Sequence, residues 1–255
     1  MSNKIIAANF KMNLSSKDEA INLCKYYQQK DQELPNVDFI AAPDFLWLED
    51  IVGLGVSVSS QDCFFEDAGP FTGEISPMIL KNIGVKYCIV GHSERRNLGD
   101  TDEIVNKKIK AVIKNGIIPI LCVGETLEQK QSGQKDEALR GQIMTALEDV
   151  VDDSISLIVA YEPVWAIGTG ISATPEQAEE VHSQIRSALR VLFGEKGNNV
   201  LISLLFLNTF IFIRPFIISL SMFFGTAPFT ETSVNTELKP AGALYGEKVC
   251  GKPIL

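Results

Sequence analysis

Ala160-Tyr161-Glu162-Pro163-Val164-Trp165-Ala166-Ile167-Gly168-Thr169-Gly170 is the stretch from which the fold is read. Residues 155–160 before it are a mainly apolar run, which reads as a short buried strand. Glu162 stands where that strand emerges. Pro163, with no N–H to offer a ladder, ends it. After the Gly-Thr-Gly turn, Thr174-Pro175-Glu176-Gln177 opens a helix. Thr174 caps it, Pro175 suits the first helical position, and Gln177 completes a capping box. The order is strand, carboxylate, loop, helix. A loop with proline at one end and glycines at the other suits a lid that moves as a unit.

The same alternation extends outward from this stretch. Upstream, strands are expected at residues 5–9, 37–41, 56–60, 87–90 and 117–123. Helices are expected over about 15–30, 100–114, 136–151 and 175–193. Six strand-then-helix steps argue for a parallel sheet with right-handed crossovers. An open doubly wound sheet and a closed barrel both fit. With no G-x-G-x-x-G after the first strand and no Walker-type loop, nucleotide-binding folds lose weight. Lys11, His92 and Glu162 each follow a strand end, and in a barrel those ends share the face that carries the active site. Residues 61–76 form a long loop bearing Phe64, Phe65 and Phe71, and a loop of that length in a compact domain is usually functional.

A chain of 255 residues is long enough for one α/β barrel or two small domains, and its 45% hydrophobic content supplies a large core. The net charge of −9 argues against nucleic acid as a partner, and an anionic substrate needs a local positive cluster. Cys24, Cys63, Cys88, Cys122 and Cys250 are scattered, with no C-x-x-C pair, and read as neither a disulfide framework nor a metal site. His92 and His182 are the two histidines, which excludes a His-rich metal site; His182 reads as structural or solvated. Met1-Ser2-Asn3-Lys4-Ile5 shows no secretory apolar region, and the expected location is cytoplasmic.

A carboxylate, an imidazole and an ammonium around one rim suit proton transfer beside a carbonyl. The carboxylate of Glu162 removes a carbon-bound proton, the imidazole of His92 hydrogen-bonds the carbonyl oxygen as it gains charge, and Lys11 stabilises that charge and any substrate phosphate. Ser93-Glu94 begins a turn or helix just after His92, and a helix N-terminus disfavours the imidazolium.

Ala8-Asn9-Phe10-Lys11-Met12-Asn13, Gly91-His92-Ser93-Glu94-Arg95-Arg96, Cys122-Val123-Gly124-Glu125-Thr126 and the opening stretch, in this order, resemble the triosephosphate isomerase family over roughly residues 1–200. The resemblance implies a single (β/α)8 TIM-barrel domain over residues 1–255, its last two β/α units uncertain. It implies interconversion of dihydroxyacetone phosphate and glyceraldehyde 3-phosphate through an enediolate, with Glu162 as base and a neutral His92 as electrophile. Asn9 and Lys11 bind substrate, Glu94 holds Lys11 in place, and Gly168 gives a backbone N–H to the phosphate when the lid closes. No metal or organic cofactor is implied. Cys122 and Glu125 read as structural. The resemblance also implies a homodimer, in which the loop around Phe71-Thr72-Gly73-Glu74 reaches into the partner subunit.

The family pattern breaks after Asn199. The resemblance implies a Tyr-Gly-Gly-Ser-type loop after the seventh strand and a Gly-Gly turn after the eighth, both on the phosphate, yet this chain has no Gly-Gly pair. Residues 200–224 are instead an apolar run with Arg214 as its one charge. Three readings stand: a frame shifted after about Val200, a divergent pair of closing strands, or a membrane-spanning segment, for which the run is long enough. Translating the coding DNA in the other two frames after Val200 separates the first from the rest. On any of these readings little isomerase activity is expected, because the grip on the phosphate is missing. The alternative function is an inactive isomerase-like protein that dimerises or attaches to a membrane, although a membrane is not the expected partner.

Overall fold

The computed structural model describes residues 4–33, 37–150, 156–167, 173–213 and 216–225. Eight strands close into a barrel: β1 (Lys4–Asn9), β2 (Val37–Ala42), β3 (Ser57–Ser60), β4 (Tyr87–Val90), β5 (Ile118–Val123), β6 (Ile158–Tyr161), β7 (Leu201–Ile213) and β8 (Phe216–Gly225). Around the first seven lie α1 (Lys17–Glu33), α2 (Leu48–Val52), α3 (Pro77–Asn82), α4 (Ser93–Asn97), α5 (Asp102–Lys114), α6 (Leu127–Gln131), α7 (Lys135–Ala146) and α8 (Pro175–Phe193). β1 to β7 pair in chain order, all parallel. The closed barrel, one of the two architectures open from the alternation alone, is therefore the one adopted.

The strands divide the core in two, because successive side chains point to opposite faces. Ala7, Ile40, Ala42, Ile89, Ile120, Cys122, Ile158 and Ala160 fill the inside. Their neighbours Ala8, Ala41, Val90, Leu121, Val123, Val159 and Tyr161 face outward and join the larger cluster beneath the helices. Asn9 and Glu162 continue the inward parity of Ala7 and Ala160, so each arrives at the mouth pointing to the barrel axis. The capping box at Thr174 and Gln177 forms as the sequence predicts. The helix expected over 136–151 stops at Ala146, and the short helices α2, α3 and α6 have too few turns to show a period.

The barrel closes differently from how it begins. β7 runs beside β6 from Leu201, opposite Ile158, to Leu204, opposite Tyr161. It then continues to Ile213 without a turn. β8 comes back antiparallel, between β7 and β1, with Ser221 opposite Asn9 and Phe224 opposite Ile6. A hairpin thus stands where a strand, helix and strand alternate elsewhere. Thr209–Ile213 pairs with Phe216–Leu220 beyond the mouth, as a two-stranded ribbon. The apolar run is built as the closing pair of strands, and no helix among the described residues is long and apolar enough to cross a membrane.

Candidate active site

The mouth of the barrel gathers Asn9 from β1, His92 after β4 and Glu162 after β6, all buried: Asn9 is 4%, His92 3% and Glu162 2% exposed. Local backbone sets each in place. Gly91, with φ of 74°, turns the chain at the end of β4 in a conformation that favours glycine, and presents His92 as the cap of α4. Glu162 is fixed through its backbone: its N–H donates to Val123 O at 2.7 Å. A Cβ on Gly124 would lie 1.7 Å from Glu162 O, so only glycine lets β5 and β6 exit this closely. Gln142 holds Gly124 from the other side, accepting from its N–H and donating to its O, both at 2.9 Å.

Four side chains of the five-residue α4 each reach a different element. Ser93 donates to both oxygens of Glu162, from N–H to Oε2 at 3.0 Å and from Oγ to Oε1 at 2.7 Å. Glu94 Oε1 accepts from Lys11 Nζ at 2.7 Å. Arg95 Nε lies 2.9 Å from Asp62 Oδ2, although off the line of its N–H. Arg96 donates to Gly91 O at 2.7 Å and pairs with Asp102. His92 Nδ1 accepts from Glu94 N–H at 3.2 Å. An accepting Nδ1 carries no proton, so the neutral ring bears its proton at Nε2. That Nε2 lies 3.3 Å from Glu162 Oε1 without an aligned hydrogen bond, and is otherwise unpartnered. It is a donor free for another acceptor.

Lys11 adopts φ of 50°, in the left-handed region that lysine seldom visits. Its N–H donates to Asn9 Oδ1 at 2.9 Å and its O accepts from Gln61 Nε2 at 3.0 Å, which pins the strained residue at both ends. Asn9, Lys11, His92 and Glu94 line a cavity of about 360 Å³, with the exposed Met12 and Leu98 at its lip. Under the same lip, buried Lys108 donates to Asp62 at 2.8 and 2.9 Å and to Asp100 at 2.6 Å. Burial pushes the Asp62 carboxyl up, against the pull of Lys108 and Arg95.

The sequence-predicted residues Asn9, Lys11, His92, Glu94 and Glu162 therefore meet on one rim, whereas Gly168 lies outside the described residues. Sequence reasoning missed Ser93, which holds the carboxylate; its signal was a serine at a helix start directly after the histidine. Gln61 and Arg96 were missed too. Glu125, read as structural, is buried and accepts at Oε1 from Tyr161 Oη at 3.0 Å and Trp165 Nε1 at 2.8 Å. It ties the first turn of the lid stretch to β5. Buried Cys122 has its thiol pushed well up, by burial first and then by the nearby Glu162. In the loop 61–76, Phe64 packs on Phe65 and Phe71 at ring separations of 4.1 and 4.6 Å; Phe71 stays 40% exposed. No cluster of metal-ligating side chains occurs among the described residues.

A sequence model described as triosephosphate isomerase matches residues 4–204, ending where β7 last pairs with β6. Relatives named triosephosphate isomerase include that of Chloroherpeton thalassium, 42% identical over 207 residues, or 79% of this chain and 82% of the relative. That of Fusobacterium nucleatum is 43% identical, covering 75% and 78%. That of Lactiplantibacillus plantarum is 41% identical, covering 77% and 80%.

Proposed function

The chain belongs to the triosephosphate isomerase family, and from that premise we propose that it interconverts dihydroxyacetone phosphate and glyceraldehyde 3-phosphate with Glu162 as the base. Glu162 takes the proton from the carbon beside the carbonyl. The C–H electron pair becomes the carbon–carbon double bond of an enediolate, and the carbonyl pair moves onto oxygen. His92 Nε2–H donates to that oxygen, and Lys11, held by Glu94, adds positive charge. Asn9 orients the substrate from β1. A proton passes from one oxygen of the enediolate to the other, and return of the carbon-bound proton to the neighbouring carbon completes the isomerisation. No group outside the chain is needed for these steps.

The observation that carries this reading is the placement of the His92 ring, its Nδ1 accepting from Glu94 N–H and its Nε2 3.3 Å from the buried carboxylate of Glu162 without a hydrogen-bond partner. The geometry also states a requirement. Both oxygens of Glu162 rest on Ser93, so the carboxylate exchanges Ser93 for the substrate carbon before it can act as base. The test is isomerisation of glyceraldehyde 3-phosphate by the purified chain beside Glu162→Gln. Turnover that is lost in the variant supports the reading; equal rates sink it.

A homodimer is the partner arrangement in this proposal. The cavity beside Lys11 has an apolar lip at Met12, 91% exposed, and Leu98, 75% exposed, while Phe71 projects from the loop 61–76. Such surface is matched by a second copy placing Thr72 near Asn9 and Lys11. Sedimentation of wild type and Phe71→Asp tests it: a dimer reduced to a monomer is expected, and equal monomer masses overturn it. A cytoplasmic location belongs to the same proposal.

A further inference from the structure

We propose that Gln142, on α7, is a positioning residue for the reaction: it fixes the backbone pivot on which the Glu162 carboxylate turns. This role rests on the isomerase reading above, in which that carboxylate leaves Ser93 for the substrate carbon. A side chain that must move and still arrive in line with a reacting atom needs a main chain that stays still.

The path from Gln142 to Glu162 is short. Leu139, Ile143 and Ala146 bury one face of α7, and Gln142 lies on the same stripe. Its amide closes a ring of two hydrogen bonds with the main chain of Gly124, the residue after β5. Gln142 Oε1 accepts from Gly124 N–H and Gln142 Nε2 donates to Gly124 O, both at 2.9 Å. One donor and one acceptor leave the amide a single orientation that satisfies both. Gly124 in turn lies hard against the carbonyl of Glu162: a Cβ on it would stand 1.7 Å from Glu162 O and 2.8 Å from Glu162 C. Glu162 N–H meanwhile donates to Val123 O at 2.7 Å. The peptide groups on both sides of the Glu162 Cα are therefore set by residues 123 and 124, and residue 124 is held from α7. In a close-packed interior a shift of Gly124 is passed on to Glu162 rather than absorbed.

Removing the amide leaves the N–H and O of Gly124 without that partner and frees the pivot. A misplacement of about 1 Å costs about 10²-fold, and a partial drift of the carboxylate in Gln142→Met is expected to lower kcat about tenfold. KM stays within about twofold, because the carboxylate acts on the substrate carbon in the transition state, while Asn9, Lys11 and His92 hold the ground state.

The experiment measures kcat and KM of the purified full chain for glyceraldehyde 3-phosphate in wild type, Gln142→Met and Gln142→Glu, with Glu162→Gln as the background. Gln142→Glu is the arm that a merely structural role does not move. Its protonated carboxyl has the shape of the amide, with one donor and one acceptor. Ionised, it sets a second acceptor against Gly124 O, which favours the protonated form and raises its pKa. The ratio of Gln142→Glu to wild-type kcat is therefore expected to rise several-fold from about pH 8 to about pH 5.5, while the ratio for Gln142→Met stays flat. A carboxylate acting on Glu162 only through its charge raises the pKa of the base and bends the ratio the other way. Wild-type kcat in Gln142→Met, a loss confined to KM, a Gln142→Glu ratio that is flat or falls towards acid, or loss of the fold in both variants overturns the proposal and leaves the isomerase reading standing. A wild type no faster than Glu162→Gln overturns the isomerase reading, and the proposal with it.

Discussion

The two halves of the barrel mouth are built to opposite rules. On one side, β1, β4 and β6 end at the mouth, and the chain turns to deliver Asn9, Lys11, His92 and Glu162. On the other, β7 runs through the mouth and β8 returns along it. Both arrangements satisfy the edges of the sheet, since a barrel closes wherever two ladders are complete. Only the first converts strand ends into chemistry. Closing a barrel and furnishing its mouth are thus separate demands on the sequence, and this chain meets the first all the way round and the second on one side.

Substitutions sharpen or break that contrast. The largest effect is expected at Lys108, buried on the furnished side between Asp62 and Asp100. Lys108→Met removes the buried cation that both carboxylates share and leaves them only the half-exposed Arg95, at a cost of about 3–5 kcal/mol. A fall in melting temperature on the order of 10 °C follows for a chain of this size. An unchanged melting curve would show that the charges beneath α4 do not hold this side together.

Next comes Glu162→Asp. Withdrawing the carboxylate by one methylene misplaces the base by roughly 1 Å, for which kcat falls about 10²-fold with the circular dichroism unaltered. Unchanged kcat removes Glu162 from the role of base.

A third, smaller effect reports on the seam between the halves. His182 on α8 bonds the backbone of Ser203 in β7. Burial first, and Arg186 second, hold its pKa down to about 4 from 6.5. As pH falls below 6.5 the unfolded chain takes up a proton that the folded chain refuses. The stability in question is therefore whole above about pH 6.5 and drains away towards pH 4. The loss is at most about 3 kcal/mol. Denaturant titrations at pH 7 and 4.5 measure it, and His182→Gln flattens the difference; an equal slope in wild type and variant places the acid sensitivity elsewhere.

The smallest effect is expected beyond the mouth. Ile211 pairs with Ile218 in the ribbon and with no other strand. Ile211→Thr keeps a β-favouring residue at a position paired only within the ribbon, and changes kcat/KM by less than about twofold. A tenfold change would make the ribbon part of the active site and dissolve the contrast between the halves.

The furnished half was legible because its signals are local. Pro163 ends a strand, Thr174 and Gln177 cap a helix, and apolar runs such as 117–123 span buried strands whose ends announce where a charged residue will emerge. What escaped was set by contacts between distant segments. Ser93 bonds a residue 69 positions away, and Gln61 one 50 away, and neither spacing carries a period. The hairpin escaped for another reason. An apolar run without alternation fits a buried strand, a buried helix or a membrane span equally well, and only pairing with β6 and β1 decides.

Lys11 carries one more consequence. Its left-handed backbone costs on the order of 1 kcal/mol relative to a residue at ease there. Glycine or asparagine at position 11 relieves that strain and discards the ammonium. With Lys11 in its proposed role, heat resistance and turnover pull the identity of this residue in opposite directions. A randomised library screened only for survival at high temperature drifts away from lysine at position 11, and one screened for growth on its product returns to it. The share of lysine among the survivors becomes a gauge of what the selection was asking for.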